Sequence, residues 1–231
     1  MEPTYVEDFT REFRLTAATT ALVVVDMQYA SGSREHGLGA LLARQGRLAD
    51  AAYRFDRIDQ LIIPNTRKLL AAFRGAGAPV VYVTLGPTQP DYSDAPIHMR
   101  KWFEATNNHA GNREHEIVDA LRPEAGELVV NKTTIGAFGS TAIDSALKAK
   151  GISEIVVTGV STNNCVGMTA MEAADRQYGV VLVADATGTC SDEMQDATLA
   201  SFRRLWGRVM STDEVIEELG AEQTAARRAA G

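Results

Sequence analysis

EIVVTGVSTNNCVGMTAMEAADRQYGVVLVADA, residues 154–186, reads as one strand–helix–strand unit, and the rest of the chain follows from it. A β-branched apolar run, 154–160, ends in a short turn rich in Ser, Thr and Asn. Cys165 then opens a helical pattern of small residues, and after Gly179 a second apolar run follows at 180–186. Runs this Val-rich and unbroken suit strands buried on both faces, the signature of a parallel sheet covered by helices.

The same alternation extends outward. Residues 20–27, 78–85, 127–132 and 207–212 also read as strands. Helical patterns occupy 57–77, ending at Gly75 and Gly77, and 140–151, with Ser140 and Thr141 as caps and Gly151 as the stop. Further helices are expected over 165–178 and 192–205. Strand and helix taking turns implies βαβ crossovers and a doubly wound α/β sheet. Two stretches break the rhythm: 28–56 and 86–116 are long, polar and turn-rich, and connections of that kind usually form lids or pocket walls. With no repeat or low-complexity linker, the expectation is a single domain over 1–231, with an N-terminal arm at 1–18 and a frayed tail at 220–231.

Composition narrows the function. The chain has 231 residues, 45% apolar and 23% charged, enough to bury a core without disulfides or structural metal. A formal net charge of −7 and the lack of a Lys/Arg cluster argue against nucleic acid as a partner. The acidic, charge-broken start lacks the pattern of a signal peptide, and no apolar run approaches the roughly 20 residues that span a bilayer. With only two cysteines, the expectation is a cytoplasmic protein with reduced thiols and no membrane partner.

Ligands of open α/β sheets bind at the carboxyl ends of the strands. Asp26, Lys132 and Cys165 stand at three such ends. Singly, each has an ordinary reading as a turn former, a solvated charge or a small buried hydrophobe. Together they compose a nucleophile, a base and a cation. A thiol at a helix start beside a cation ionises more easily, so Lys132 and the helix are expected to favour the Cys165 thiolate. Asp26 takes the thiol proton and returns it to a leaving amine. Backbone N–H groups of the turn 159–165, including that of Cys165, supply an oxyanion site. The four histidines, His36, His98, His109 and His115, lie away from the strand ends.

VVVDMQ (23–28), NKTTIGAFGST (131–141) and the opening block resemble the motif blocks of the isochorismatase-like cysteine hydrolases. The resemblance covers roughly residues 18–212. It implies a Rossmann-like three-layer α/β/α fold with a parallel six-stranded sheet, and a catalytic triad at Asp26, Lys132 and Cys165. It also implies a cis peptide at Val160–Ser161, with the oxyanion held by the N–H groups of Ser161 and Cys165. No cofactor is implied. Homo-oligomers, dimers or tetramers, are common among such enzymes, and the N-terminal arm is placed to reach a neighbour.

Departures from the family patterns narrow the substrate. There is no Asp-x-His after the first strand, so no metal site is expected. The loop where carbamoylsarcosine-type enzymes carry a basic residue holds Cys190, with Asp192 and Glu193 nearby. A small neutral carbamoyl or ureido compound, biuret or triuret, is the expected substrate, cleaved through a thioester with release of ammonia. An N-carbamoyl amino acid or nicotinamide-type amide is the alternative. Gln28, Tyr29, Phe138 and Gln195 are the candidate substrate-binding residues. Trp102, Phe103 and Asn107 are the candidates for covering the site. Two other functions fit the residues less well: a redox protein using Cys165 and Cys190, which lack a C-x-x-C spacing, and a non-catalytic scaffold.

Overall fold

The structure, a computed structural model, describes Phe9 and residues 11–230, with side chains as far as Ala221. Six parallel strands form one sheet: β1 (Thr20–Val25), β2 (Val80–Leu85), β3 (Leu128–Lys132), β4 (Glu154–Val160), β5 (Gly179–Gly188) and β6 (Arg208–Met210). Their order is β3-β2-β1-β4-β5-β6, so the chain winds outward to β3, returns to the middle and winds out again. The switch point falls between β1 and β4, where a crevice opens beyond the strand ends.

The helices are α1 (Tyr29–Gly32), α2 (Gly37–Arg44), α3 (Ala52–Arg57), α4 (Ile63–Ala76), α5 (Arg100–Thr106), α6 (Ile143–Ala149), α7 (Gly167–Asp175), α8 (Asp192–Arg203) and α9 (Thr212–Ala230). Alternation along the strands decides what each layer buries. Leu22 and Val24 of β1 pack with Phe55 of α3, Leu69 and Phe73 of α4 and Leu219 of α9. Ala21, Val23 and Val25 face the other way, against Phe103 of α5, Leu147 of α6, Ala170 of α7 and Phe202 of α8. The result is the three-layer sandwich implied by the resemblance. Among the described residues, no helix is long and apolar enough to cross a membrane.

Differences from the expected elements have local causes. β1 stops at Val25 because Asp26 turns into the left-handed region, φ 52°. The helix expected from residue 57 begins at Ala52, inside the stretch read as loop, and reaches Ala76 through a π turn at Ile58–Ile62. Pro64 comes two residues after that turn; it has no N–H to donate and crowds the carbonyl four residues back, so the wider turn accommodates it. Gly77 caps that run at φ 69°, while Gly75 lies within it. Helix α6 starts later than expected, at Ile143, whose N–H donates to Thr141 Oγ1. Ser140 is spent elsewhere, accepting from the Thr133 N–H. At the C-terminus, α9 runs to Ala230.

The described part of the N-terminal arm packs on its own chain. Arg11 donates to the Gln177 carbonyl, and the Phe13 ring lies against Gly179, where a Cβ would come within 2.8 Å of it. Residues 1–8 and 10 of the arm are outside the described residues.

Candidate active site

Gly159 sets the geometry of the switch point. It has φ 111°, and a Cβ there would stand 2.0 Å from the Val25 carbonyl oxygen. Only a glycine lets the ends of β1 and β4 approach this closely. The approach sets Asp26, following β1, beside the turn that follows β4. Asp26 itself is held by its backbone: its N–H donates to the Val83 carbonyl, and its carbonyl accepts from Ser31 Oγ at 2.5 Å.

Lys132, the last residue of β3, is fully buried and donates from Nζ to Asp26 Oδ2 at 3.0 Å. The other carboxylate oxygen, Oδ1, is buried without a hydrogen-bond partner. Cys165, 7% exposed, completes the group. It lies in the π turn Thr162–Val166 just before α7, where Asn164 departs from helical geometry at φ −122°, ψ −105°. The peptide Val160–Ser161 is cis. Side chains anchor the turn from outside: Thr162 Oγ1 donates to Gln195 Oε1 at 2.7 Å, and Thr189 Oγ1 to Asn163 Oδ1 at 2.6 Å.

Burial dominates the electrostatics. It pushes the Asp26 carboxyl above the ordinary carboxylate range, against the pull of Lys132, Cys165 and Arg54. It pushes the Cys165 thiol well above the usual thiol range, helped by the Asp26 carboxylate and opposed by Lys132. The expected lowering of the thiol pKa is therefore corrected: Lys132 does favour the thiolate, but in so dry a site it does not outweigh desolvation. With one proton between thiol and carboxylate, the pair would carry one negative charge whichever atom holds it. Moving the proton from Sγ to Asp26 leaves the charge count opposite Lys132 unchanged, which makes thiolate formation accessible in a buried site.

A pocket of about 230 Å³ opens onto this group, lined by Asp26, Arg54, Ser161, Asn164 and Cys165 among others. Its size suits a small molecule. Both long insertions supply walls: the first brings Gln28, Ser31, Leu38 and Arg54, the second Met99, Trp102 and Asn108. The expected walls are thus found, but Phe103 is core and Asn107 is the left-handed cap of α5.

The substrate-binding candidates divide. Gln28 lines the pocket, but its amide is engaged with the backbone of Leu85 and His115. Tyr29 points elsewhere: its hydroxyl bonds Arg113 and its ring lies under that guanidinium at 3.9 Å. The short helix α1 turns it outward. Phe138 is 7% exposed and packs against Tyr178 in the core. Gln195 is buried and spends its amide on Thr162 and Thr187, steadying the turn without lining the pocket.

Sequence reading missed Arg54 and Ser31. Arg54 Nη1 donates to Ser161 Oγ at 2.8 Å and Nη2 to the Ser31 carbonyl at 3.0 Å. The i, i+3, i+7 spacing of Phe55, Ile58 and Ile62 is the signal that places this stretch on a helix. Cys165 and Cys190 are both free, the second exposed with its sulfur 3.6 Å from Met194 Sδ. Among the described residues, no cluster of three or more His, Cys, Asp or Glu is arranged to hold a metal ion.

Residues 20–214 match the isochorismatase domain model. The chain belongs to the isochorismatase family. Within it, the ureidoacrylate amidohydrolase RutB of Pseudomonas syringae pv. syringae is 35% identical over 217 residues, covering 87% of this chain and 84% of that protein. The RutB of Stutzerimonas stutzeri is 32% identical over 235 residues, covering 95% and 90%. The crystal structure of N-carbamoylsarcosine amidase from Thermoplasma acidophilum superposes with TM-score 0.62 at 29% identity, covering 84% of this chain and 97% of that one. A cysteine hydrolase from Pseudomonas syringae pv. phaseolicola superposes with TM-score 0.76, covering 91% and 97%; at 24% identity it speaks for the fold. Like these isochorismatase-family amidohydrolases, the protein is an enzyme acting on carbon–nitrogen bonds outside peptides.

Proposed function

We propose that this isochorismatase-family enzyme hydrolyses a terminal C–N bond of a small ureido or carbamoyl compound, with Cys165 as nucleophile, and releases ammonia. The observation that carries the reading is the buried Asp26–Lys132 pair, 3.0 Å apart, set beside Cys165 at the mouth of a small pocket. The relatives named as ureidoacrylate and carbamoylsarcosine amidases support the substrate class.

The steps follow from the shared proton. Asp26 takes the Cys165 proton as Sγ bonds the ureido carbonyl carbon, and the C=O electron pair moves to oxygen. Backbone N–H groups of Ser161 and Cys165 hold that oxyanion, presented by the turn after the cis peptide. Collapse breaks the C–N bond, and Asp26 gives its proton to the departing ammonia. What remains is a thiocarbamate on Cys165, the ureido counterpart of a thioester. Water then attacks, losing its proton to Asp26, and the thiolate leaves and is reprotonated. Lys132 keeps the carboxylate aimed at the sulfur and balances the negative charge throughout.

Biuret and triuret are the neutral compounds of this class; ureido acids are the anionic ones. The test is ammonia release from biuret, triuret, ureido acids and nicotinamide, with Cys165→Ser alongside. Release from a ureido compound that vanishes in the variant supports the reading. Release from nicotinamide alone would overturn the substrate class, and Cys165-independent release the mechanism.

A further inference from the structure

Arg54 is the group in the pocket that the hydrolytic steps leave unused. It reaches the pocket from α3, in the first insertion, and fixes itself through Ser161 Oγ and the Ser31 carbonyl. Both partners are neutral, and among the described residues Arg54 makes no ion pair. Its Nε is buried with no hydrogen-bond partner. Arg54 is half-buried, with Nε shut off from water; a guanidinium so placed without a counter-anion is costly, and a protein retains one where something else supplies the negative charge.

The charges lining the pocket show what is missing. Lys132 is matched by the Asp26 carboxylate, to which its Nζ donates at 3.0 Å. Arg54 is left as one positive charge over, inside a chain whose formal net charge is −7. General electrostatic attraction of anions is absent from such a protein, so the positive charge is local and specific. A planar guanidinium held at both nitrogens offers its remaining N–H groups in fixed directions, a geometry matched by a carboxylate.

We infer that Arg54 is a specificity-determining residue that binds the carboxylate of an anionic ureido compound whose carbamoyl end is presented to Cys165. This rests on the ureido reading above and deepens it. It also replaces the expectation of a neutral substrate: that expectation rested on the lack of a basic residue near Cys190, and the cation comes instead from α3. The pocket of about 230 Å³ leaves room for a short acid only.

Arg54 also lies near enough to Cys165 and Asp26 to interact with their charges, so a role toward the reacting atoms is the rival assignment. A matched pair of compounds separates the two: N-carbamoyl-β-alanine and its neutral N-methylamide, which share the same ureido end and release ammonia from that end alone. Ammonia release is measured for wild type, Arg54→Gln and Arg54→Lys. Carboxylate binding predicts that wild type favours the acid, and that Arg54→Gln lowers kcat/KM for the acid about 10- to 100-fold, mainly through KM. The neutral amide should lose at least about 10-fold less than the acid does, and Arg54→Lys should recover part of the loss on the acid. Equal losses on both compounds, or a wild-type preference for the amide, would overturn it.

Binding gives a second readout that needs no turnover. Calorimetry of the Cys165→Ser protein should show uptake of the acid, weaker uptake of the amide, and loss of that difference when Arg54→Gln is added. Acid binding that survives Arg54→Gln contradicts the inference even if the hydrolytic reading holds. Arg54-dependent binding without ammonia release from any ureido compound would support the inference while removing the hydrolytic reading.

Discussion

Lys132 Nζ and Asp26 Oδ2 lie 3.0 Å apart in a site that exposes 0% of the lysine and 3% of the aspartate. They come from opposite ends of a three-strand step, β1 and β3, with β2 between them. A pair so buried is poor as a source of stability but strongly coupled: removing one partner strands the other charge in a dry site.

Lys132→Met should therefore destabilise the fold by about 3–5 kcal/mol, measured by denaturant unfolding. It should also raise the Asp26 and Cys165 pKa values further, since Lys132 opposes both upward shifts. Slower alkylation of Cys165 at neutral pH, read by peptide mass spectrometry, is the expected sign. An unchanged rate would remove Lys132 from that role.

The pH profile of kcat/KM should carry the mark of Asp26. The base must be ionised to accept the thiol proton, and burial raises its pKa. The acid limb should therefore fall above the ordinary carboxylate value of about 3.9. A limb at or below that value would contradict the assignment of Asp26 as base.

Gly159→Ala should be severe. Its Cβ would meet the Val25 carbonyl at 2.0 Å in a backbone conformation that disfavours any side chain. A loss of roughly 3 kcal/mol or more is expected, with activity falling as Asp26 and Cys165 are forced apart. Wild-type stability and turnover in that variant would show that the close approach of β1 and β4 is unnecessary.

His115 supplies a pH dependence of stability away from the chemistry. Its Nδ1 lies 3.0 Å from Asn108 Oδ1 and 3.1 Å from Gln28 Nε2, joining the two insertions behind the pocket. Burial, with a smaller effect of His109, lowers its pKa from 6.5 to about 4. Between those values the unfolded chain binds more protons than the folded one, so stability is full above the unfolded value and declines as pH falls toward about 4. Urea midpoints at pH 7.5 and pH 5 should show this decline, and His115→Gln should flatten it.

The triad was legible because the sheet puts strand ends together: Val-rich runs ending in Asp26 and Lys132, and one leading into Cys165, needed only parallel order to converge. What failed was orientation and solvation. Tyr29 sits three residues beyond Asp26 in the chain, yet one turn of α1 sends its ring out to Arg113. Gln195 has the right chemistry for a ureido group but is consumed by Thr162 and Thr187. The Cys165 ionisation was misjudged because a helix start and a cation are visible in a sequence while burial is not. Arg54 was hidden for the same reason: an arginine in a stretch read as loop becomes a pocket wall only when α3 brings it to Ser161 and the Ser31 carbonyl.

Acid-quench peptide mass spectrometry of the wild-type protein during turnover of a ureido acid tests Cys165 as the nucleophile. A carbamoyl-type adduct is expected on Cys165, absent from Cys190 and accompanied by free ammonia. Steady ammonia release with Cys165 unmodified, and undiminished in Cys165→Ser, would contradict it.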